Sequence, residues 1–414
     1  LPKPTKPKAA IITIGNEILL GKTLNTNMAY LGSKLAALGI PVQMSFTIQD
    51  DPIAITKALD DVWPEYDVVI STGGLGPTED DLSKAAIAEF FGVQLSFDED
   101  VWTHVQSLFS RRGMSTPPIN RCQAMVPEGF EALRNDRGTA PGLHYEKDGK
   151  HFFALQGVPL EMRYIYVNHI QGILEKAYPA VKPIFQKTLH THGVSESRLA
   201  ELFCLSELPE NVSLAWLPQT GRVDMRFYGH SQDAINEGIT RAKKKIGRFI
   251  WNEEDSSPAE LLSSLLLTNG NTLSIAESCT GGWVAKLITD LPGASKLFTG
   301  GVIAYSNEIK ENLLKVNKDT LLRKGAVSNE TALEMARGIK LLTGSSHAIS
   351  TTGIAGPDGG SDEKPVGMVC FGFIAEGKHW TKQQVFTGDR ESIRLKSAEF
   401  ALLELIRYLQ GRSI

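Results

Sequence analysis

The chain has little that would tie it to an oxidising compartment, a membrane or a nucleic acid. Its 414 residues include four cysteines, Cys122, Cys204, Cys279 and Cys370, with no CxxC pair and no metal-finger spacing, which predicts free thiols in a reducing cytoplasm. No apolar run approaches the roughly 20 residues of a membrane helix. A net charge of −4 leaves no overall basic field, so the protein as a whole is not built around nucleic acid or a membrane surface. The opening LPKPTKPK is basic and proline-rich but lacks a signal-peptide core and cleavage site, and is predicted as a short, loose tail of a cytosolic protein. The glycine-rich stretch after His347 carries no GKS or GKT, so it is not a P-loop. No histidine falls between Ser256 and His347, so a cysteine nucleophile there lacks its usual partner.

What is present concentrates late in the chain. SIAESCTGGWVAKLI, Ser274 to Ile288, reads as a buried strand, a glycine-broken turn and a helix, with Glu277, Ser278, Cys279, Thr280, Gly281 and Gly282 at the turn. Side chains there project from a sheet end, beside helix-start N–H groups that stabilise negative charge. GGVIAYSNEIK supplies a second strand ending at Tyr305, a cap at Ser306 and Asn307, and Lys310 behind it. A serine nucleophile needs a base, and a lysine whose pKa is lowered by burial can serve, with a tyrosine hydroxyl relaying or anchoring the proton. Ser278, Tyr305 and Lys310 are thus the candidate nucleophile, relay and base, with Cys279 as the rival nucleophile. A third element, His347 to Phe373, reads as strand, glycine-rich loop and strand. Its Thr351, Thr352, Gly353, Gly356, Gly359 and Gly360 have the composition of a phosphate cradle, or of a plain hairpin connection.

The length predicts two to three domains. From Ala9 the chain alternates buried strands and amphipathic helices, which predicts a parallel sheet with helices on both faces and ligands beyond the carboxyl ends of the strands. Two polar turns fall at such ends. The first holds Asn16 and Glu17, followed by Asn25 and Asn27; the second runs from Ser71 to Asp81. In the second, Gly73 and Gly74 can wrap a phosphate, while Thr78, Asp80 and Asp81 bring oxygen atoms suited to Mg²⁺ or Mn²⁺. Asp80 or Asp81 could equally cap the next helix.

Residues 177–255 read as a small α+β segment: a strand, a helix capped by Ser195, two strands joined at Pro218 to Gly221, and a helix ending in RAKKKIGR, taken as a solvated face. WNEEDSSP, from Trp251, reads as a linker. The last helix, from Asp389, carries Ile393, Ala401, Leu402, Leu405 and Leu409 near one face, with Arg390 and Arg394 at its start; either arginine could reach a substrate, and packing is as good an account of Arg394.

AESCTGG, YSNEIK, GAVS, TGIAGPDGG, EKPVG and TGDR occur in that order and together resemble the carboxy-terminal domain of the competence/damage-inducible CinA family, which is similar to nicotinamide-nucleotide amidases. GNEILLG, STGGLGPTEDD, GTAPG and GVPLEM resemble that family's amino-terminal half, similar to molybdopterin-binding, MogA-like domains. Gln156 stands where the family more often has proline before GVP, which is expected to loosen that loop. The resemblance implies a MogA-like α/β domain over 1–170, a KH-like middle module, and an α/β amidase domain over 256–414. It implies hydrolysis of nicotinamide mononucleotide to nicotinic acid mononucleotide and ammonia by the serine site, with Glu277, Thr280, Gly281, Gly282, Asn307, Thr352, Gly353, Gly356, Gly359, Gly360 and Arg390 binding substrate and helix-start N–H groups holding the oxyanion. For the first half it implies hydrolysis of ADP-ribose to AMP and ribose 5-phosphate with a divalent metal, held by Glu17, Asp80 and Asp81, with Asn16, Asn25, Asn27, Gly73, Gly74 and Thr78 on the nucleotide. Both substrates are fragments of NAD breakdown. The resemblance further implies a homodimer and a possible recombinase partner. The rival reading is a competence-machinery interaction protein, or a molybdopterin binder, that keeps these folds as scaffolds.

Overall fold

AAIITI, strand β1 (Ala9–Ile14), is buried at every position, because a central strand covered on both faces needs apolar side chains throughout rather than alternately. The computed structural model describes residues 7–78, 81–219 and 221–412; most of the amino-terminal tail read from the sequence lies outside the described residues. The chain divides into two units, Leu1–Phe185 and Gln186–Ile414.

In the first unit, β1 lies parallel to β2 (Val42–Ile48) and to β3 (Val68–Thr72). Beyond β3 come β4 (Glu131–Leu133), β5 (Gly142–Lys147) and β6 (Lys150–Leu155), and the sheet order is β2-β1-β3-β6-β5-β4. β6 is parallel to β3, but β5 and β4 are antiparallel. This corrects the all-parallel expectation at one edge, for a physical reason. Only Asp148 and Gly149 join β5 to β6, both at positive φ (54° and 78°), and a two-residue turn of that kind closes a hairpin and is too short for a crossover. Helices cover both faces as expected. Leu31 and Leu35 of α1 (Thr26–Ala37) pack with Ile165 and Tyr166 on one side, while α2 (Pro52–Val62) and α3 (Ser83–Phe91) bring Ile55, Leu59 and Ile87 to the other.

The second unit opens with β7 (Phe185–Thr191), β8 (Val212–Gln219), β9 (Arg222–Gly229) and β10 (Ile250–Asn252), in the order β8-β9-β7-β10. Against this sheet lie the helix Glu196–Leu202, capped by Ser195, and α4 (Gln232–Ile246), whose Ile235, Ile239 and Ala242 meet Met225 and Phe227. That is the expected α+β arrangement, with nothing beyond it that points to a KH module. The basic run is a surface face: Arg241 pairs with Glu237, Lys243 with Glu253 and Lys245 with Glu207. The linker reading fails at its first two residues, because Trp251 is 1% exposed and joins the core of the following sheet. The segment read as a middle domain falls within the second unit.

After α5 (Pro258–Thr268), the second sheet of this unit is built from β11 (Leu273–Glu277), β12 (Phe298–Ile303), β13 (His347–Gly353), β14 (Met368–Ala375) and β15 (Lys378–Val385), in the order β12-β11-β13-β14-β15. The first three are parallel and the last two antiparallel, again through a two-residue turn, Glu376–Gly377. Between the strands lie α6 (Trp283–Thr289), α7 (Asn307–Asn312) and α8 (Asn329–Thr343). Met335, Ala336 and Ile339 of α8 cover one face of the sheet; α5, α6 and α9 (Arg390–Leu409) cover the other. α9 is buried more widely than its predicted stripe, all round from Phe400 to Ile406. It is covered on a second side by the middle strands: Phe400 packs on His192, and Glu399 faces Arg222 at 3.7 Å. Among the described residues no helix is long and apolar enough to cross a membrane.

Candidate active site

β11 delivers Glu277 and Ser278 to the end of the parallel strands, next to the end of β13, where Ser278 N–H donates to the Thr351 carbonyl at 2.9 Å. The chain then turns through Gly281 and Gly282 at φ 59° and 95°, a left-handed pair that side chains disfavour. From the neighbouring segment, α7 begins at its Ser306 cap and folds Lys310 back under the turn. Lys310 is 1% exposed and Ser278 8% exposed, with Nζ 3.2 Å from Oγ. The ammonium end also reaches the Ala304 carbonyl at 2.7 Å and the Tyr305 carbonyl at 3.4 Å. Burial pushes the Lys310 pKa below its ordinary value, and no carboxylate offsets it. In the neutral amine, two hydrogens fit the two carbonyls and the lone pair is left for the serine proton.

The rival thiol is in the wrong state. Burial, reinforced by Glu277, pushes Cys279 up to about 12, so at neutral pH the thiolate is a trace, on the order of one in 10⁵.

Two expectations are corrected by the geometry. The helix-start N–H groups assigned to the oxyanion are already used: Glu277, 1% exposed, accepts from Gly282 at 2.9 Å, Val284 at 3.2 Å and Ala285 at 2.8 Å. Glu277 is therefore the cap of α6 rather than a substrate ligand. The N–H groups of Cys279 and Thr280 have no backbone partner among the described residues, and they are the donors next to Ser278 that a developing oxyanion could use. The second correction concerns Tyr305. Its hydroxyl accepts from Arg390 Nη2 at 2.9 Å, and it is the backbone carbonyl of Tyr305 that meets Lys310.

Arg390 also donates to the Gly356 carbonyl at 2.6 Å, so it ties the tyrosine to the glycine-rich loop. The predicted loop glycines divide by role. At Gly356 and Gly360 a side chain would strike Val366, at 2.6 and 2.8 Å, and at Gly353 the Met368 carbonyl, at 2.6 Å; Gly359 has room, with Ile354 at 3.8 Å, but its φ of 89° disfavours a side chain. The hydroxyls of Thr280 and Thr352 are committed within the fold, to Thr351 at 2.6 Å and to the Ala326 carbonyl at 2.7 Å. Asn307 is exposed at the first position of α7.

In the first unit, side chains converge where β1, β3 and β6 end. Asn25 donates to Thr13 at 3.0 Å and Asn27 to Thr72 at 3.0 Å and to the Gly157 carbonyl at 2.8 Å, while Asn27 Oδ1 is buried with no partner among the described residues. Gly73 is squeezed onto β1, where a Cβ would lie 2.0 Å from the Ile14 carbonyl, and Gly74 sits against Ser83 and Asp50. Asn16 and Glu17 are exposed on the adjoining turn. Asp81 accepts from the backbone and hydroxyl of Thr78 and does not cap α3, whose first residue follows Leu82 with no side-chain cap bond. Asp80 lies outside the described residues. No three His, Cys, Asp or Glu among the described residues come together as a metal-holding group, so those residues do not by themselves fit a divalent metal. Gln156 does not loosen its loop: its carbonyl accepts from Thr72 at 2.8 Å and its amide donates to Ala140 in GTAPG at 2.7 Å. Sequence reasoning missed Lys84, in the first turn of α3, whose ammonium donates to the Cys122 and Gln123 carbonyls and whose pKa burial lowers to about 8. A lysine in the first turn of the helix that follows the glycine turn was the available signal.

The fold and these sites define a protein with two α/β halves, one ending in a buried serine–lysine pair and the other in a polar, glycine-lined strand end. Residues 255–409 match the family profile described as CinA C-terminal domain, and residues 10–176 the one described as Probable molybdopterin binding domain. A Caldanaerobacter subterraneus protein that carries competence-damage inducible in its name is 40% identical over 98% of this chain and 100% of its own length. A CinA-like protein of Gemmatimonas aurantiaca is 40% identical over 96% of this chain and 95% of its own. A CinA superfamily crystal structure from Klebsiella pneumoniae, 35% identical, covers 38% of this chain and 99% of its own, with a TM-score of 0.36. The chain belongs to the CinA family of competence-damage inducible proteins.

Proposed function

We propose that the second unit hydrolyses the carboxamide of nicotinamide mononucleotide. The observation that carries this is the buried Lys310 amine 3.2 Å from the Ser278 hydroxyl, an arrangement a scaffold has no need to keep. Ser278 Oγ attacks the amide carbon as its proton passes to Lys310 Nζ, and the carbonyl oxygen becomes an oxyanion beside the Cys279 and Thr280 N–H groups. When the C–N bond breaks, Lys310 returns the proton to the leaving nitrogen, which departs as ammonia. Water then attacks the acyl-serine, gives its proton to Lys310, and the nicotinate half leaves as Ser278 regains its hydrogen. The exposed loop Pro357–Ser361 and the Arg390 guanidinium are the proposed side for the ribose phosphate. The test is ammonia release by the full chain without added metal: turnover in the wild type, lost in Ser278→Ala and Lys310→Ala. Turnover that survives Ser278→Ala removes the serine.

For the first unit we propose a nucleotide phosphate ligand, ADP-ribose in the reading the resemblance implies. The convergence of Asn25, Asn27, Gly73 and Gly74 at the carboxyl ends of parallel strands favours it. The full chain is assayed for AMP and ribose 5-phosphate with Mg²⁺, Mn²⁺ and neither; no product in any condition removes the hydrolytic reading. Light scattering tests the implied homodimer.

A further inference from the structure

The second arginine of α9 has no part in the reaction as drawn, yet it is held against the reacting turn. Arg394 lies one helical turn beyond Arg390. Its Nη2 donates to the Thr280 carbonyl at 2.9 Å, and its guanidinium stacks over the Trp283 ring at 5.2 Å from the centroid. The turn comes so close that a Cβ on Gly281 would sit 3.0 Å from the same Nη2. Thr280 is the residue on which the geometry converges. Its hydroxyl is bonded to Thr351, its carbonyl to Arg394, and its N–H is one of two without a backbone partner beside Ser278 among the described residues. Held at its side chain and at its carbonyl, Thr280 has its α-carbon fixed, and with it the position of the amide nitrogen that the α-carbon carries.

The alternative anchor for the same carbonyl is the Trp283 N–H at 3.3 Å, a long contact within a glycine-broken turn, so without the guanidinium the Thr280–Gly281 peptide would be free to rock and to shift the Thr280 α-carbon with it. That movement would cost little in folding, because Gly281 and Gly282 tolerate it. It would cost more in catalysis, since a donor displaced by about 1 Å loses much of its hold on a developing charge.

We infer that Arg394 is a positioning residue of the amide-hydrolysing site, acting through the Thr280 carbonyl to aim the N–H groups that receive the oxyanion. This rests on the amidase reading above. Arg394 touches neither the serine nor the lysine, so its removal acts on the transition state and leaves substrate binding nearly alone.

The experiment compares ammonia release from nicotinamide mononucleotide by the full-length wild type, Arg394→Gln and Arg394→Lys, with a thermal melt of each. The expected result is a kcat lower by about 10- to 100-fold in Arg394→Gln with KM within about 3-fold. Arg394→Lys falls in between, because lysine can reach the carbonyl but cannot hold it with a stacked planar fork. If Arg394→Gln does not fold, Arg394→Lys decides alone: a reduced kcat at unchanged KM supports the inference and wild-type kinetics overturn it. A folded Arg394→Gln with wild-type kcat, or one that loses only KM, overturns it while leaving the amidase intact. No ammonia from the wild type removes the amidase reading and the inference together.

Discussion

The substitution Glu277→Gln separates a structural carboxylate from a substrate ligand, and its effect can be worked from three distances. Glu277 accepts from Gly282 and Val284 on one oxygen, at 2.9 and 3.2 Å, and from Ala285 on the other, at 2.8 Å. A glutamine side chain is nearly the same shape but offers one acceptor and one NH₂. Whichever way it turns, at least one buried N–H of the α6 start then faces another donor. Leaving a buried donor without an acceptor costs about 1–3 kcal/mol, and losing a negative charge at a helix start costs roughly 0.3–1 kcal/mol more. The sum, about 1–4 kcal/mol, corresponds to a fall in Tm of roughly 3–16 °C for a unit of this size. Thermal unfolding of the full chain by calorimetry reads that number. Below the transition, KM for nicotinamide mononucleotide should remain within about 3-fold of the wild type, because the carboxylate faces the helix rather than a ligand. A variant that melts with the wild type but binds substrate poorly would refute the capping account and restore Glu277 to the substrate.

Five further outcomes follow from the geometry. Because the base must be neutral, kcat/KM rises with pH through the Lys310 pKa, which burial lowers; a pH–rate profile whose acid limb is unchanged in Lys310→Ala would remove the lysine as its source. The same depressed pKa means the folded state holds the Lys310 proton less tightly than the unfolded one, so this site's penalty on stability is greatest below the lowered pKa and fades as pH climbs toward the ordinary lysine value. Cys279→Ala keeps turnover within a few-fold, and iodoacetamide labels the exposed Cys122 and Cys204 ahead of buried Cys279 on intact-mass analysis; activity lost on Cys279→Ala would revive the thiol. Tyr305→Phe raises KM while leaving kcat within about 3-fold, since the hydroxyl serves Arg390; a large kcat loss would restore the relay. His192 is pushed down to about 4 by burial and by Arg407 and Arg222, so it stabilises the fold fully above pH 6.5 and loses that contribution, about 3 kcal/mol, as pH falls to 4; a His192→Gln chain whose acid unfolding matches the wild type would contradict this.

Much of the serine site was legible because it is built from local segments. A strand, a glycine turn and a helix put Ser278 at a sheet end, and a serine cap followed by a lysine four residues on put Lys310 behind the next strand. Pattern alone carries that much, since each step lies within about ten residues of chain. The direction of a side chain across the site is another matter. Tyr305 and Glu277 were read as reactive or ligating because they are next to the right neighbours in sequence, whereas their partners are Arg390, 85 residues away, and a helix start that the carboxylate turns toward. The same limit hid Lys84, whose environment comes from carbonyls 38 and 39 residues along the chain.

The antiparallel edge of the first α/β sheet was missed for the opposite reason, while in the second the sequence after His347 allows a hairpin, and both edges bear on how such sites are made. Asp148–Gly149 and Glu376–Gly377 are two-residue turns at positive φ; the first was a signal outweighed by the alternation of strands and helices before it. Each hairpin lies on the far side of the strand that carries site residues, β3 in one sheet and β13 in the other. A parallel strand flanked on both sides by crossovers would be crowded at its carboxyl end by connections from both neighbours. A hairpin reverses the chain, so the strand following β13 starts at the site end: the loop that leads into it, Gly353 to Gly367, lies over Ser278's side of the sheet by connectivity alone. That loop is where Arg390 attaches through Gly356. If the loop's task is to hold the arginine and not only to close the hairpin, Gly356→Ala, which would drive a methyl into Val366 at 2.6 Å, should raise KM by at least as much as Tyr305→Phe, since it displaces the carbonyl that Arg390 needs. Equal KM values in Gly356→Ala and the wild type would leave the loop as a connection and nothing more.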